Sequence, residues 1–160
     1  MNHIHSFHAI VSNSCTRVLL GSMPGKASLA AQEYYAHPRN HFWQFMEELF
    51  GIPSASNYAE RCSQLLNNGV AMWDVLKTCT RSSSLDSDIL INSAVPNDFD
   101  AFFTRFDSIQ AIYFNGAAAE QLFEKKVAGG LSGPAAGLPR YRLPSSNPAN
   151  ASIPRPVKLQ

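Results

Sequence analysis

The chain has 160 residues, 45% hydrophobic and 11% aromatic, with a net charge of +1. That length predicts one domain spanning 1–160, able to bury about two-thirds of its unfolded surface without disulfide or metal staples, and the composition excludes a disordered chain. Near-neutrality excludes a broad basic face, so any contact with nucleic acid must be local, and no apolar run approaches the ~20 residues of a membrane span.

The first eight residues carry His3, His5 and His8 but no basic region followed by an apolar stretch, so no secretory signal is expected. Residues 17–20 read as a short buried strand that runs into Gly21-Ser22-Met23-Pro24-Gly25. Residues 26–40 read as a long, Tyr-rich connection. Phe42, Phe45, Met46, Leu49 and Phe50 have helical spacing, with Gly51 and Pro53 as a stop. Tyr58, Cys62, Leu65 and Leu66 suggest a second helix, ended by Asn68-Gly69. Residues 70–75 are apolar enough for a second strand, and 78–88 are polar and loop-like. Phe99, Phe102, Phe103 and Phe106 mark a helix packed on a sheet. Residues 109–114 form a third strand ended by Asn115-Gly116, 117–126 a helix of good propensity, 129–139 a Gly/Pro loop and 141–143 a fourth strand. Alternating strands and helices predict a three-layer α/β/α fold around a central four-stranded, mostly parallel sheet. The core is expected over 16–151 and an irregular tail over 152–160, where Pro154 and Pro156 interrupt any helix. Cys15, Cys62 and Cys79 are odd in number and widely spaced, which suits free thiols in a reducing compartment.

Two strand ends are rich in Gly, Ser, Asn and Pro, and open α/β sheets bind ligands at that edge. Gly21–Gly25 serves either as a tight turn or as a ligand loop. Asn40 directly precedes a helix and reads as its cap or as a functional amide, roles that are compatible if a neighbouring residue caps. Tyr34 and Tyr35 either pack or form a stacking wall. His37, held extended by Pro38, suits structural hydrogen bonding better than acid–base work. Asn115 either closes a turn or offers a donor and an acceptor to a heterocycle edge. Ser145, Ser146 and Asn147 either cap the last loop or bind phosphate. The histidines have no metal spacing, so neither metal nor cofactor is expected.

Gly21–Gly25, Ser28-Leu29, Tyr34-Tyr35-Ala36-His37-Pro38-Arg39-Asn40 and Phe42-Trp43 resemble the first motif of the uracil-DNA glycosylase superfamily. Ala71-Met72-Trp73-Asp74-Val75-Leu76, Ser84-Leu85-Asp86-Ser87, Phe114-Asn115-Gly116 and 143–151 follow in order. Within the superfamily the chain most resembles the hypoxanthine (deoxyinosine) DNA glycosylases, relatives of the mismatch-specific uracil/thymine enzymes. The resemblance spans roughly residues 17 to 151.

The resemblance implies a monofunctional glycosylase that flips a deaminated base, hypoxanthine or uracil, out of DNA and hydrolyses its N-glycosidic bond in base excision repair. Asn40 matches a catalytic amide, Tyr35 the aromatic that stacks on the base, and Asn115 a residue that reads the base edge and supports catalysis. Gly21, Met23, Pro24 and His37 fall against the substrate, and Ser145, Ser146 and Asn147 in the loop that grips phosphate. Ser22 stands where the mismatch branch carries the Asn that seats water. No carboxylate lies in the first motif, which suggests a water held by an amide, and no lysine occupies the motifs, so no lyase step is implied. The expected partner is damaged DNA, with no membrane and no obligate protein partner, for a monomer in a bacterial-type cytoplasm, at the nucleoid. The competing class is a catalytically weak damaged-base or nucleotide binding module on the same fold.

Overall fold

The computed structural model describes residues 2–146; Asn147, the rest of the last loop and the tail lie outside the described residues. The chain opens with β1 (Asn2–His5) and reaches β2 (Arg17–Gly21) through an irregular segment. Three helices follow, α1 (Lys26–Ala31), α2 (Phe42–Phe50) and α3 (Tyr58–Asn67), then β3 (Val70–Asp74) and β4 (Leu76–Arg81). The second half holds β5 (Val95–Pro96), α4 (Phe99–Arg105), β6 (Ala111–Asn115), α5 (Ala117–Lys126) and β7 (Arg140–Leu143).

Four strands form one sheet in the order β3-β2-β6-β7, with every pair parallel. Parallel strands covered on both faces must be apolar on both, and β2 obeys. Val18 and Leu20 enter one core cluster with Phe99, Phe102, Phe103, Leu122 and Phe123 of α4 and α5. Leu19 enters the other, with Phe42, Phe45 and Met46 of α2 and Cys62 and Leu65 of α3. The helices thus lie on both faces of the sheet, in three layers. Phe99, Phe114 and Phe123 are almost wholly buried, and truncating any one to alanine should cost about 3–5 kcal/mol.

Two elements depart from the sequence reading. Residues 78–88, expected as loop, contain most of β4, the middle strand of a second, antiparallel sheet β1-β4-β5. Its register sets Ile4 against Cys79 and His3 against Thr80, a partnership too distant in sequence for local patterning to reveal. The connection 26–40 contains α1. This helix buries only Ser28 and carries no side-chain cap, so it has no amphipathic signature. The predicted helix ends hold where backbone geometry demands glycine: Gly51 sits at φ 70° beyond α2 and Gly69 at φ 78° beyond α3.

Candidate active site

The carboxyl ends of β2, β3 and β6 open on a cavity of about 520 Å³. Leaving the sheet at Gly21, the chain is held there by two backbone bonds, because Val75 N–H donates to the Gly21 carbonyl (2.8 Å) and Leu76 N–H to that of Ser22 (3.2 Å). Arg81, buried on β4, donates from Nη2 to the Pro24 carbonyl at 2.6 Å and so pins the far side of the turn. Gly21 is required by space: a Cβ there would lie 2.6 Å from Asp74 Oδ1 and 3.2 Å from the Tyr35 hydroxyl.

Of the residues singled out by sequence, Gly21, Ser22, Met23, Pro24, Tyr35 and His37 all line this cavity, as do Asn40, Asn115, Ser145 and Ser146. Asn40 has a local task as well. Its Oδ1 accepts the amide of Phe42 at 2.9 Å, which secures the start of α2 although the N-cap position itself is His41. That bond leaves the Nδ2 donors of Asn40 without a task in α2. His37 has a structural bond of the expected kind, its Nδ1 accepting the Arg39 amide at 3.1 Å.

Asn115 and Ser146 grip one another. Asn115 Nδ2 donates to Ser146 Oγ and Ser146 N–H donates to Asn115 Oδ1, both at 2.8 Å, while the Ser146 carbonyl accepts His41 N–H at 3.2 Å. The last loop is thereby clamped to the end of β6 and the start of α2. The Ser146 amide already has its acceptor, which leaves the hydroxyl hydrogen as the donor of this residue that the clamp does not use. Gly116 permits the close approach: it sits at φ 102°, and a Cβ there would be 2.9 Å from Ser145 Cβ.

Tyr35 has a positive φ of 56°, uncommon for a residue with a side chain. Phe42 covers one face of its ring, with centroids 4.1 Å apart and planes 25° apart. Its hydroxyl is buried without a hydrogen-bond partner among the described residues; the Asn115 amide is near enough to favour the ionised form but does not complete a bond of ordinary geometry. Burial, then the neighbouring Asp74, pushes the phenol well above its usual range.

The expectation of a site without carboxylates does not hold. Asp74 at the end of β3 and Asp86 in the turn after β4 both line the cavity; each was visible in a motif string, but only the pairing of β3 with β2 sets Asp74 beside Gly21. Asp74 is 4% exposed, its Oδ2 has no hydrogen-bond partner among the described residues, and its main chain is fixed by Asn97 Nδ2 donating to its carbonyl at 2.7 Å. Burial and then the charge of Asp86 raise its carboxyl to about 7, against the opposing pull of Arg81. Asp86 accepts the Ser22 hydroxyl at 2.5 Å. Crowding by the cavity walls also raises Asp86, an effect that water must limit because the residue is exposed at the rim. Lys26 lines the cavity too, one residue beyond the motif in which no lysine was found. Among the described residues no cluster of three or more His, Cys, Asp or Glu side chains has the geometry of a metal site.

Lys26 is the one lysine or arginine among the described residues that line the cavity. Arg140 and Arg142 are ion-paired with Glu124 and Glu120, whereas Arg39 and Lys26 form no ion pair among the described residues. No helix there is long and apolar enough to cross a membrane.

Residues 10–156 match the uracil DNA glycosylase superfamily. A hypoxanthine DNA glycosylase of Methanosarcina acetivorans is 30% identical over 145 residues, 90% of this chain and 86% of the relative. One of Methanosarcina barkeri is 30% identical over 111 residues, 69% of each. The solution NMR structure of a candidate uracil DNA glycosylase from Methanosarcina acetivorans superposes with a TM-score of 0.82 at 28% identity, over 98% of this chain and 92% of that one. With the family match covering nearly the whole chain, on a parallel sheet whose carboxyl edge carries the motif residues, this protein belongs to the uracil DNA glycosylase superfamily.

Proposed function

We propose that the protein is a monofunctional DNA glycosylase that hydrolyses the N-glycosidic bond of hypoxanthine or uracil in DNA, as a step of base excision repair. The observation that carries this reading is the convergence of Ser22, Tyr35, Asn40 and Asn115 on one cavity of about 520 Å³, deep enough for a single flipped base. The relatives named hypoxanthine DNA glycosylases support it.

The roles follow from what each side chain has left to offer. Tyr35, backed by Phe42, presents its remaining face to the extruded base. Asn40, with Oδ1 engaged by α2, donates from Nδ2 to the attacking water or the departing base. Ser22 gives its proton to Asp86 and keeps its oxygen lone pairs to accept from water, a seat an Asn could also fill. Asn115 positions the phosphate-gripping loop through Ser146 and lies at the base edge. No step requires a metal or a Schiff base.

Oligonucleotides carrying one deoxyinosine or one deoxyuridine test the reading. Release of the free base, with strand cleavage only after alkali, is the expected result for hydrolysis without lyase action. Tight binding without base release would place the chain among damaged-base binding modules.

A further inference from the structure

The mechanism above leaves one buried group idle. Asp74 has an Oδ2 unpartnered among the described residues, is 4% exposed, and forms part of the cavity wall. A buried polar atom without a partner is costly to keep, and one that persists in a native structure calls for a specific reason. Gly21 and Tyr35 crowd it: only the missing Cβ of Gly21 makes room for Oδ1, and the Tyr35 hydroxyl, itself unpartnered, lies beside the same point. Arg81 comes from β4 below yet forms no ion pair among the described residues, and its Nε and Nη1 are also unpartnered. Among the described residues Oδ2 of this carboxyl thus has no hydrogen-bond partner, and Arg81 opposes its protonation without an ion pair between them.

We propose that Asp74 is the general acid of this site, donating its carboxyl proton to the departing base. This rests on the glycosylase reading above. As the C1′–N bond breaks, its electron pair passes to the base, the Asp74 O–H bond breaks, and its proton goes to a ring nitrogen or exocyclic oxygen of that base. The base leaves neutral and Asp74 is left as a carboxylate. Water adds to C1′, and the proton it loses returns to Asp74 through solvent, so the cycle consumes one water and nothing else. The groups facing Asp74 are Asp86 from the turn after β4, Arg81 from β4, and Tyr34 and Tyr35 from the segment before α2, with His37 and Lys26 elsewhere on the cavity wall. Burial and Asp86 together outweigh Arg81, so the carboxyl holds its proton up to about 7.

Single-turnover base release from a deoxyinosine oligonucleotide, followed from pH 5 to pH 9, tests the role. Wild-type rate should fall about tenfold per pH unit above the Asp74 midpoint. Asp74→Asn should lose that descending limb and run about 10²-fold or more below the wild-type plateau. Its deficit should shrink on 5-fluorodeoxyuridine, whose base leaves readily as an anion; a merely structural role would not distinguish the two leaving groups. Asp86→Asn still accepts from Ser22 but removes the like charge, and should move the limb to lower pH with Asp74 intact, which keeps the test informative if Asp74→Asn does not fold. An active wild type with no limb, or an Asp74→Asn enzyme with the wild-type limb and rate, overturns the proton-donor role alone. A wild type that releases no base from any of these substrates overturns the glycosylase reading and this role with it.

Discussion

Asn40 shows how one side chain can carry two roles at once. Its Oδ1 serves α2 and its Nδ2 is available to the cavity. Asn40→Ala should therefore cost about 1 kcal/mol of stability as a lost cap and, separately, about 10²-fold or more in single-turnover rate as a lost transition-state donor. Asn40→Asp keeps the acceptor and loses the donor. Thermal melting should find Asn40→Asp close to wild type, while base-release kinetics should place it with Asn40→Ala; wild-type kinetics would reduce Asn40 to a cap. Tyr35 gives a second contrast. Its hydroxyl is buried and unpartnered among the described residues, so Tyr35→Phe removes a penalty and should match or exceed wild-type stability. Tyr35→Ala removes the ring and should weaken capture of an extruded base by about 1–3 kcal/mol. A Tyr35→Phe variant as defective as Tyr35→Ala, measured by binding to a deoxyinosine duplex, would give the hydroxyl a direct role.

At the level of elements, the site is a product of strand ends meeting. β2 and β3 pair from Arg17 with Val70 to Gly21 with Asp74, so the last residue of each faces the other across the cavity floor. Gly21→Ala would put a methyl 2.6 Å from Asp74 Oδ1. Overpacking of that kind costs about 1–3 kcal/mol, and here it also fills the cavity. The expected outcome is a lowered melting temperature together with activity reduced more than the lost stability explains; full activity would mean that Asp74 can swing aside without consequence. The clamp between Asn115 and Ser146 is the corresponding device at the end of β6.

For the whole molecule, folding lifts the Asp74 carboxyl from 3.8 to about 7, so the native state holds this proton more tightly than the unfolded chain. Its contribution to stability is fully present below the unfolded value and is lost as pH rises through the folded one. Asp74→Asn has no such proton to lose. Melting curves at pH 5 and pH 8 should show the wild type losing ground to Asp74→Asn at the higher pH; parallel curves would mean that Asp74 is charged throughout. Charge also governs salt dependence. With a net charge of +1, Arg140 and Arg142 paired to glutamates and Lys26 the one lysine or arginine among the described residues lining the cavity, few cations stand at the site to displace counterions from DNA. A plot of log rate against log salt should be shallow. Arg39→Ala should reduce its slope by about 1, and Arg140→Ala should leave it unchanged. A steep wild-type slope would reveal a basic surface that the net charge conceals.

Periodicity and punctuation by themselves determined the parallel sheet, because buried apolar runs broken by Gly, Asn and Pro are local properties. The Phe99–Phe106 spacing made α4 legible, as Gly51 did the end of α2. The motif strings also brought Ser22, Tyr35, Asn40 and Asn115 forward as one set before any geometry was known. Tertiary structure alone decided the rest. β4 exists because β1 and β5 flank it, and α1 is a helix with almost nothing to bury. Asp74 and Asp86 stand in strings that marked no role for them. Their significance arises from burial, from the charge of Asp86 on Asp74, and from an arginine that supports the loop without forming an ion pair with either among the described residues, and those are consequences of distance in space that no spacing along the chain encodes.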